Sequence, residues 1–270
     1  MINKVRNLQL RLSRTFGDKF VMPPRISRYA DSVFTPQKVL VVGVVLEDRK
    51  NHYKHISSVF NNSKTHDVQQ LWAVLKADEK LEKKDKIQHF YYDEFIPRSK
   101  LINLIIKKYS KGEYDYIVIT DDDIRLPKDF VDQFLMRQEQ CDFSLAQPAR
   151  TPNSIISHQI TRQHKQLLAR QTHFVEIGPV VSIRKDAQRL ILPLDEASPM
   201  GWGLDYVWPA LIDAANKKMG IIDSVPVAHT LRPVGNSYNS DKAMQEMKDY
   251  LGVRQSFLEC EAHVVLNEYK

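Results

Sequence analysis

An apolar run that stops at three aspartates constrains the fold of this chain more than any other feature. Residues 114–120 read Tyr-Asp-Tyr-Ile-Val-Ile-Thr, and Asp121, Asp122 and Asp123 follow at once. A β-branched run without alternating polarity is typical of a strand buried on both faces of a sheet. Open α/β sheets bind their ligands at the carboxyl ends of such strands. We therefore expect a ligand site at these aspartates.

The three aspartates indicate a bound cation. Asp121 and Asp123 point to the same side of an extended segment, so both can bind one hard divalent ion through oxygen. The ion would keep open positions for phosphate oxygens and water. The alternative is an acidic turn that caps a following helix, which we expect to begin near Pro127 and to run through Phe130 and Phe134.

Strand and helix patterns alternate along the chain. Strands are predicted near 39–46, 71–75, 87–91, 116–120, 143–147, 180–183 and 221–229. Helices are predicted near 52–60, 101–108, 157–168 and 204–218. This alternation predicts an α/β fold with a mainly parallel sheet and helices on both faces. We expect one domain over residues 36–235, after an extension over 1–35 and before a helical tail over 236–270.

Composition excludes some partners and indicates a compartment. The net charge of +6 is spread along the sequence without basic tracts, which argues against nucleic acid as a partner. The two cysteines lie far apart and lack metal-ligand spacing, as expected of a reduced cytoplasmic protein. The longest apolar run is far shorter than the roughly 20 residues of a membrane-spanning helix.

The first 30 residues predict a basic amphipathic helix. Its apolar positions recur at helical spacing, with lysines and arginines between them, and are Ile2, Val5, Leu8, Leu12 and Phe16. Such a helix can dock on its own domain or lie on an anionic membrane. In the second case the protein would be peripheral on the inner face of the cell membrane.

Phosphate loops are absent from the sequence. It contains neither Gly-x-x-x-x-Gly-Lys nor Gly-x-Gly-x-x-Gly, and 9 glycines leave little for a glycine-rich cradle. A nucleotide ligand would therefore be bound through a metal ion and side chains.

A second informative stretch is residues 199–206, Pro-Met-Gly-Trp-Gly-Leu-Asp-Tyr. Its glycines free the backbone for a close approach to a ligand, and Trp202 offers a flat apolar face. Asp205 could take a proton from a hydroxyl group. The alternative is a tight turn in which Trp202 packs in the core and Asp205 caps the next helix.

A third stretch is the apolar run 221–228, which ends at His229. A neutral imidazole at a strand end can complete the coordination of a Mn²⁺-like ion held by carboxylates. A purely structural histidine is the equal alternative.

The order of these stretches resembles one family. Tyr-Asp-Tyr-Ile before the Asp-x-Asp, Phe-Val-Glu-Ile-Gly-Pro-Val-Val-Ser at 174–182, Gly-Trp-Gly-Leu-Asp at 201–205, and Gly-Ile-Ile-Asp at 220–223 leading to His229 carry the resemblance. Together they resemble the glycosyltransferase-like family catalogued as domain of unknown function 707, over roughly residues 85–236. That family is itself similar to GT-A glycosyltransferases. The sequence departs from it at Thr-Leu-Arg-Pro, 230–233.

The resemblance implies a Rossmann-like GT-A domain that transfers a sugar from a nucleotide-diphosphate donor to a saccharide or lipid-linked saccharide. Implied donor contacts are Val44, Glu47, Lys100, Asp121, Asp122 and Asp123. Implied acceptor contacts are Glu176, Trp202, Gly203 and Tyr206. Implied ligands of a divalent metal, Mn²⁺ or Mg²⁺, are Asp121, Asp123 and His229. Asp205 would then be the base of an inverting displacement.

Two other function classes remain open. A metal-dependent phosphohydrolase or nucleotidyltransferase could use the same carboxylates, although the sequence lacks a second carboxylate cluster with two-metal spacing. A sugar-binding protein without catalysis could share the fold. Lys100, Arg162 and Arg184 are weaker candidates for contacts with diphosphate or acceptor anions.

Overall fold

The computed structural model describes residues 35–77, 80–82, 84–110, 112–233 and 238–270. The predicted amphipathic helix near the N terminus lies outside these residues. None of the described helices is both long enough and apolar enough to cross a membrane.

Strands and helices alternate through most of the described chain. The strands are β1 (Lys38–Leu46), β2 (Asp67–Leu75), β3 (Ile87–Tyr92), β4 (Tyr116–Thr120), β5 (Ile124–Arg125), β6 (Leu145–Arg150), β7 (Ala169–Thr172), β8 (Val180–Arg184), β9 (Met219–His229) and β10 (Val265–Tyr269). The helices are α1 (Tyr53–Asn61), α2 (Arg98–Tyr109), α3 (Phe130–Gln140), α4 (Lys185–Ile191), α5 (Leu204–Ala214), α6 (Ser240–Leu251) and α7 (Glu259–Ala262).

The strands form a mixed, largely parallel sheet in the order β10-β7-β9-β6-β8-β4-β1-β2-β3, with β5 paired to β9. Strands β1, β2, β3 and β4 are mutually parallel, and β6 is parallel to β9. Strand β8 is antiparallel to both β4 and β6, so these two run in the same direction. The carboxyl ends of β1, β2, β4, β6 and β9 therefore meet at one edge of the sheet, where ligand sites of α/β proteins lie.

Both faces of the sheet are covered. In β1, Val39 and Val41 pack into one apolar cluster with α1 and α3, whereas Leu40 and Val42 pack into another with α2, α4 and α5. Successive side chains of a strand point to opposite faces, so a strand covered on both faces carries no polar alternation. At Gly43 an added Cβ would lie 2.2 Å from Cζ3 of Trp72, which explains the single glycine in this strand.

The structure corrects two predicted elements. Residues 157–168 are not a helix but irregular chain around one 3₁₀ turn, Gln159–Thr161. The backbone N–H of Gln163 donates to Arg150 O at 2.9 Å, and that of Leu168 donates to Tyr269 O at 2.8 Å. These backbone groups thus pair with neighbouring segments instead of within a helix.

The predicted helical tail is also only partly helical. It contains α6 and α7, but it ends in β10, which pairs antiparallel with β7. The Tyr269 ring packs edge-on against Phe143, with ring centroids 5.5 Å apart. Two helix boundaries also differ from the prediction by a few residues. α3 begins at Phe130 and not near Pro127, and α5 ends at Ala214 and not near residue 218.

Candidate functional site

A cavity of about 990 Å³ opens at the carboxyl edge of the sheet. Residues at or just beyond the ends of five parallel strands line it, namely Leu46, Leu75, the three aspartates 121–123, Arg150 and His229. The loop 200–203 and the start of α5 form part of the same lining. The sheet topology thus brings the three informative stretches of the sequence to one cavity.

Asp122 connects β4 to β1. Its Oδ2 accepts a hydrogen bond from Leu46 N at 2.7 Å, and its carbonyl accepts one from His52 N at 2.6 Å. Its Oδ1 accepts a hydrogen bond from Arg232. Burial raises the pKa of Asp122 to about 7, against the attraction of Arg232. Oδ2 of Asp122 therefore holds the carboxyl end of β1 in place.

Asp123 forms an ionised pair at the centre of the site. Its Oδ2 accepts hydrogen bonds from Arg232 Nε at 3.0 Å and His229 Nε2 at 3.2 Å. The pairing of Ile124 with His229 between β5 and β9 places the histidine there. Burial alone would raise the pKa of Asp123, but His229 and Arg232 outweigh it and hold the pKa at about 2.

Asp121 is the most accessible of the three carboxylates, with 31% of its side chain exposed. Its Oδ1 accepts hydrogen bonds from Arg98 Nε at 3.2 Å and Nη2 at 3.0 Å. An added Cβ at Gly178 would lie 3.0 Å from Asp121 Oδ2, so a side chain there would crowd this carboxylate.

Two carboxylates and one imidazole fit the ligand chemistry of a Mn²⁺-like ion. Asp123 and His229 are already in contact, whereas Asp121 is turned toward Arg98. Among the described residues, Asp121, Asp123 and His229 do not form a group whose ligand atoms all lie within 4.8 Å. Binding all three to one ion therefore requires the carboxylate of Asp121 to move closer to Asp123 and His229.

Asp205 lies in the first turn of α5, after a loop with two strained positions. Gly201 and Gly203 have φ of 88° and 93°, which favour glycine over other residues. Only 6% of Asp205 is exposed, and within the described structure its Oδ1 has no hydrogen-bond partner. Burial, and secondarily Glu176, raises the pKa of Asp205 to about 8. A carboxyl group of this kind can hold or accept a proton near neutral pH.

The predicted acceptor residues surround Asp205 in the same cavity. Glu176, Trp202, Gly203 and Tyr206 all line it. Trp202 is partly exposed and donates from Nε1 to Tyr238 Oη at 2.9 Å. Glu176 accepts from Arg150 Nη2 at 2.6 Å. Trp202 is therefore fixed by a polar contact at the cavity wall and is not a core residue.

Of the predicted donor contacts other than the aspartates, one lies at the cavity and two do not. Val44 lines the cavity, whereas Glu47 and Lys100 are exposed and do not belong to its lining as formed by the described residues. Arg162 lines the cavity. Arg184 instead forms ion pairs with Asp142 and Asp186 at the far end of β8.

Sequence reasoning missed three arginines that line the cavity. Arg98 binds Asp121, Arg150 binds Glu176, and Arg232 binds Asp122 and Asp123. Arg150 and Arg232 follow the predicted strands that contain Ala146 and Val227, and this position at strand ends was the available signal. Arg98 at the start of α2 had no comparable signal.

Known structures share this architecture. The crystal structure of GalNAc-T7 with UDP, GalNAc and Mn²⁺ matches 74% of this chain and 44% of its own, with a TM-score of 0.54 and 9% identity. S. aureus TarS 1–349 in complex with UDP-GlcNAc matches 83% of this chain and 68% of its own, with a TM-score of 0.54 and 12% identity. The fold is that of the GT-A glycosyltransferases.

The GT-A fold is thus confirmed, and the narrower family is not. No protein-family model and no curated protein matches the sequence, so the resemblance to domain of unknown function 707 stays a prediction. The chain spans less than half the length of the GalNAc-T7 chain that it matches. At these identities the likeness concerns the GT-A fold alone.

Proposed function

We propose that this protein is a metal-dependent glycosyltransferase that moves a sugar from a nucleotide-diphosphate sugar to a hydroxyl group. One observation carries the proposal. A carboxylate site at the end of β4 lines the same cavity of a GT-A fold as Asp205, whose buried Oδ1 has no hydrogen-bond partner in the described structure. The first suits a metal-bound diphosphate, and the second suits a base for the acceptor.

The donor binds along the carboxyl ends of β1, β2 and β4 in this proposal. Val44, Leu46 and Leu75 give that part of the cavity an apolar wall for a nucleoside. Arg98 and Arg232 lie beside the aspartates and supply guanidinium groups for phosphate oxygens. The two matched structures contain UDP or UDP-GlcNAc, which makes a UDP-sugar the first donor to test.

The proposed metal site consists of Asp121, Asp123 and His229. A bound Mn²⁺ or Mg²⁺ would stabilise the negative charge that grows on the diphosphate as the glycosidic bond breaks. Mn²⁺ accompanies UDP in the GalNAc-T7 structure. The chain's own residues orient the site, because Ser154 Oγ accepts from His229 N at 3.0 Å and Pro179 O accepts from Asp121 N at 2.8 Å.

The acceptor occupies the side of the cavity around Trp202, Tyr206 and Glu176. Asp205 takes the proton of the attacking hydroxyl group, and direct displacement inverts the configuration at the anomeric carbon. A flat partly exposed indole beside carboxylates is suited to a sugar ring. We propose a saccharide or a lipid-linked saccharide as the acceptor.

A thermal-shift panel tests the donor site. Wild-type protein and Asp123→Asn are measured with UDP-, GDP- and CMP-sugars, each with and without Mn²⁺. The proposal predicts a rise in Tm for one nucleotide class that requires both Mn²⁺ and Asp123, because only the ligand-bound folded state is stabilised. Asp142→Asn is the control, since Asp142 forms exposed ion pairs at the other end of the sheet.

Four results would contradict the proposal. The absence of a shift with every nucleotide sugar would remove the donor site, and an equal shift in Asp123→Asn would remove the metal assignment. Release of phosphate or pyrophosphate without sugar transfer would indicate a phosphohydrolase or nucleotidyltransferase. Binding without turnover over a panel of acceptors would indicate a sugar-binding protein.

A further inference from the structure

A second group of metal-binding side chains lies outside the carboxylate site. His158, Glu259 and His263 each present one ligand atom, and these atoms all lie within 4.8 Å of one another. His158 directly precedes the 3₁₀ turn, whereas Glu259 begins α7 and His263 directly follows that helix. Two segments far apart in the sequence thus converge on one point. We call this group the His-Glu-His cluster.

The two imidazole rings of the cluster are held in place by aromatic packing. Their centroids lie 5.2 Å apart, and each ring also contacts Phe174, at 4.7 Å from His158 and 4.6 Å from His263. The carbonyl of His158 accepts hydrogen bonds from the backbone N and the Oγ1 of Thr161 at 3.0 and 2.8 Å. The two imidazole groups are therefore positioned before any ion arrives, as a metal site requires.

His263 carries the observation that points to a ligand. Its Nε2 is buried and, across the described part of the chain, has no hydrogen-bond partner. Its Nδ1 lies 3.6 Å from Glu259 Oε1, which is beyond hydrogen-bond distance. Buried polar atoms are normally satisfied, so an unpaired ring nitrogen needs an explanation.

Glu259 is exposed, and exposed carboxylates are common without a metal. Its position, however, is four residues before His263, a spacing that places two side chains on one face of a helical turn. Aromatic packing of two histidines does not require a nearby carboxylate, whereas carboxylate oxygen beside histidine nitrogen is a common zinc ligand set.

We propose that the His-Glu-His cluster binds Zn²⁺. Zinc takes histidine nitrogen and carboxylate oxygen in four-coordinate sites, and three protein ligands leave one position for water. Mg²⁺ and Ca²⁺ prefer oxygen ligands, which argues against them here. The ion fastens the C-terminal segment to the chain around residues 155–162, which supplies Ile155, Ile156, Ser157 and Arg162 to the cavity wall. Binding of this ion does not depend on the proposed glycosyl transfer.

Zinc titration of the full chain, after removal of metals with a chelator, tests the proposal. Calorimetry should show one Zn²⁺ bound in an Asp123→Asn background, which weakens the carboxylate site, and Tm should rise with zinc. His263→Ala or His158→Ala should weaken zinc binding about 100-fold or more. Loss of a residue that only supports a metal ligand already weakens binding by up to about 100-fold, and loss of a ligand should not weaken it less. His173→Ala is the matched control, because His173 is similarly buried and pairs with Asp213 at 3.2 Å.

A second measurement guards against variants that fail to fold. Glu259→Gln changes an exposed side chain, so it should fold normally and still weaken zinc binding. Co²⁺ in place of Zn²⁺ should give the visible absorption of a tetrahedral site in wild type and in His173→Ala, but not in His263→Ala. The proposal fails if wild type binds no zinc, or if zinc is lost in Asp123→Asn and retained in His263→Ala.

Discussion

At the scale of single residues, Asp205 is buried, and its Oδ1 has no hydrogen-bond partner in the described structure. Such a carboxyl group lowers the stability of the fold and suits a residue that transfers protons. Asp205→Asn should lower kcat about 10² to 10⁴-fold, equivalent to about 3–5 kcal/mol, with donor affinity retained. The same change should raise stability by about 0.5–2 kcal/mol, because the unfavourable buried carboxyl group is removed. Turnover assays, donor titrations and urea unfolding measure the three effects.

The control for this variant is Asp213→Asn, which changes an exposed aspartate of the same helix. It should leave kcat unchanged. An equal loss of donor binding and turnover in Asp205→Asn would instead make Asp205 a structural residue.

The raised pKa of Asp205 predicts the pH dependence of the reaction. A base must be ionised, so kcat/KM should rise as pH increases up to about 8 and then level off. Glu176 contributes to the raised pKa through repulsion. Glu176→Gln should therefore shift the rise to lower pH, measured as a pH profile at constant metal and donor. A profile that is flat between pH 6 and about 8 would contradict the role of Asp205.

At the scale of elements, a buried ion pair joins β7 to β9. Arg170 Nε donates to Asp223 Oδ2 at 2.8 Å, and both side chains are almost fully buried. Arg170 also donates to the carbonyls of Ile160 and Arg162, so it supports the irregular chain beside the cavity. Arg170→Met should cost about 3–5 kcal/mol, because it leaves Asp223 charged, buried and unpaired.

Urea unfolding measures this cost. The matched comparison is the double variant Arg170→Met/Asp223→Leu, which removes both charges and should recover much of the lost stability. Equal stability of the two variants would show that the ion pair is not the cause.

The elements that local sequence could predict are those of the parallel half of the sheet. β1 and β4 carry continuous apolar runs, and such a run by itself predicts a strand buried on both faces. The carboxylates and His229 could be placed near one another because they follow such strands. Trp202 lies between two helices and Asp205 in the first turn of the second, so only the family resemblance placed them at the site. Residues 157–168 could not, since their backbone partners Arg150 and Tyr269 come from other segments. Arg98 and Arg232 likewise bind residues that are distant in the sequence, so no periodicity in the sequence predicts these contacts.

At the scale of the whole molecule, the residues that follow the predicted division at residue 235 pack against the sheet and its core. β10 extends the sheet, and Tyr250 and Ala262 are buried against the same domain. Deletion of residues 264–270 should therefore lower Tm by several degrees, because it uncovers the edge of β7 and removes the contact between Tyr269 and Phe143. A thermal scan of the truncated chain measures this, and an unchanged Tm would show that β10 does not stabilise the domain.

The paired charges of the cavity have a consequence for the order of binding. Each carboxylate proposed as a ligand of the cation has an arginine as its partner: Arg98 for Asp121 and Arg232 for Asp123. A divalent ion that takes the carboxylates frees the guanidinium groups, and a diphosphate that takes those groups frees the carboxylates. Mn²⁺ and donor should therefore bind with positive cooperativity, each raising the affinity of the other by the same factor, about 5- to 150-fold. Titration of Mn²⁺ with and without UDP measures that factor, and a value of one would mean that the two exchanges are independent.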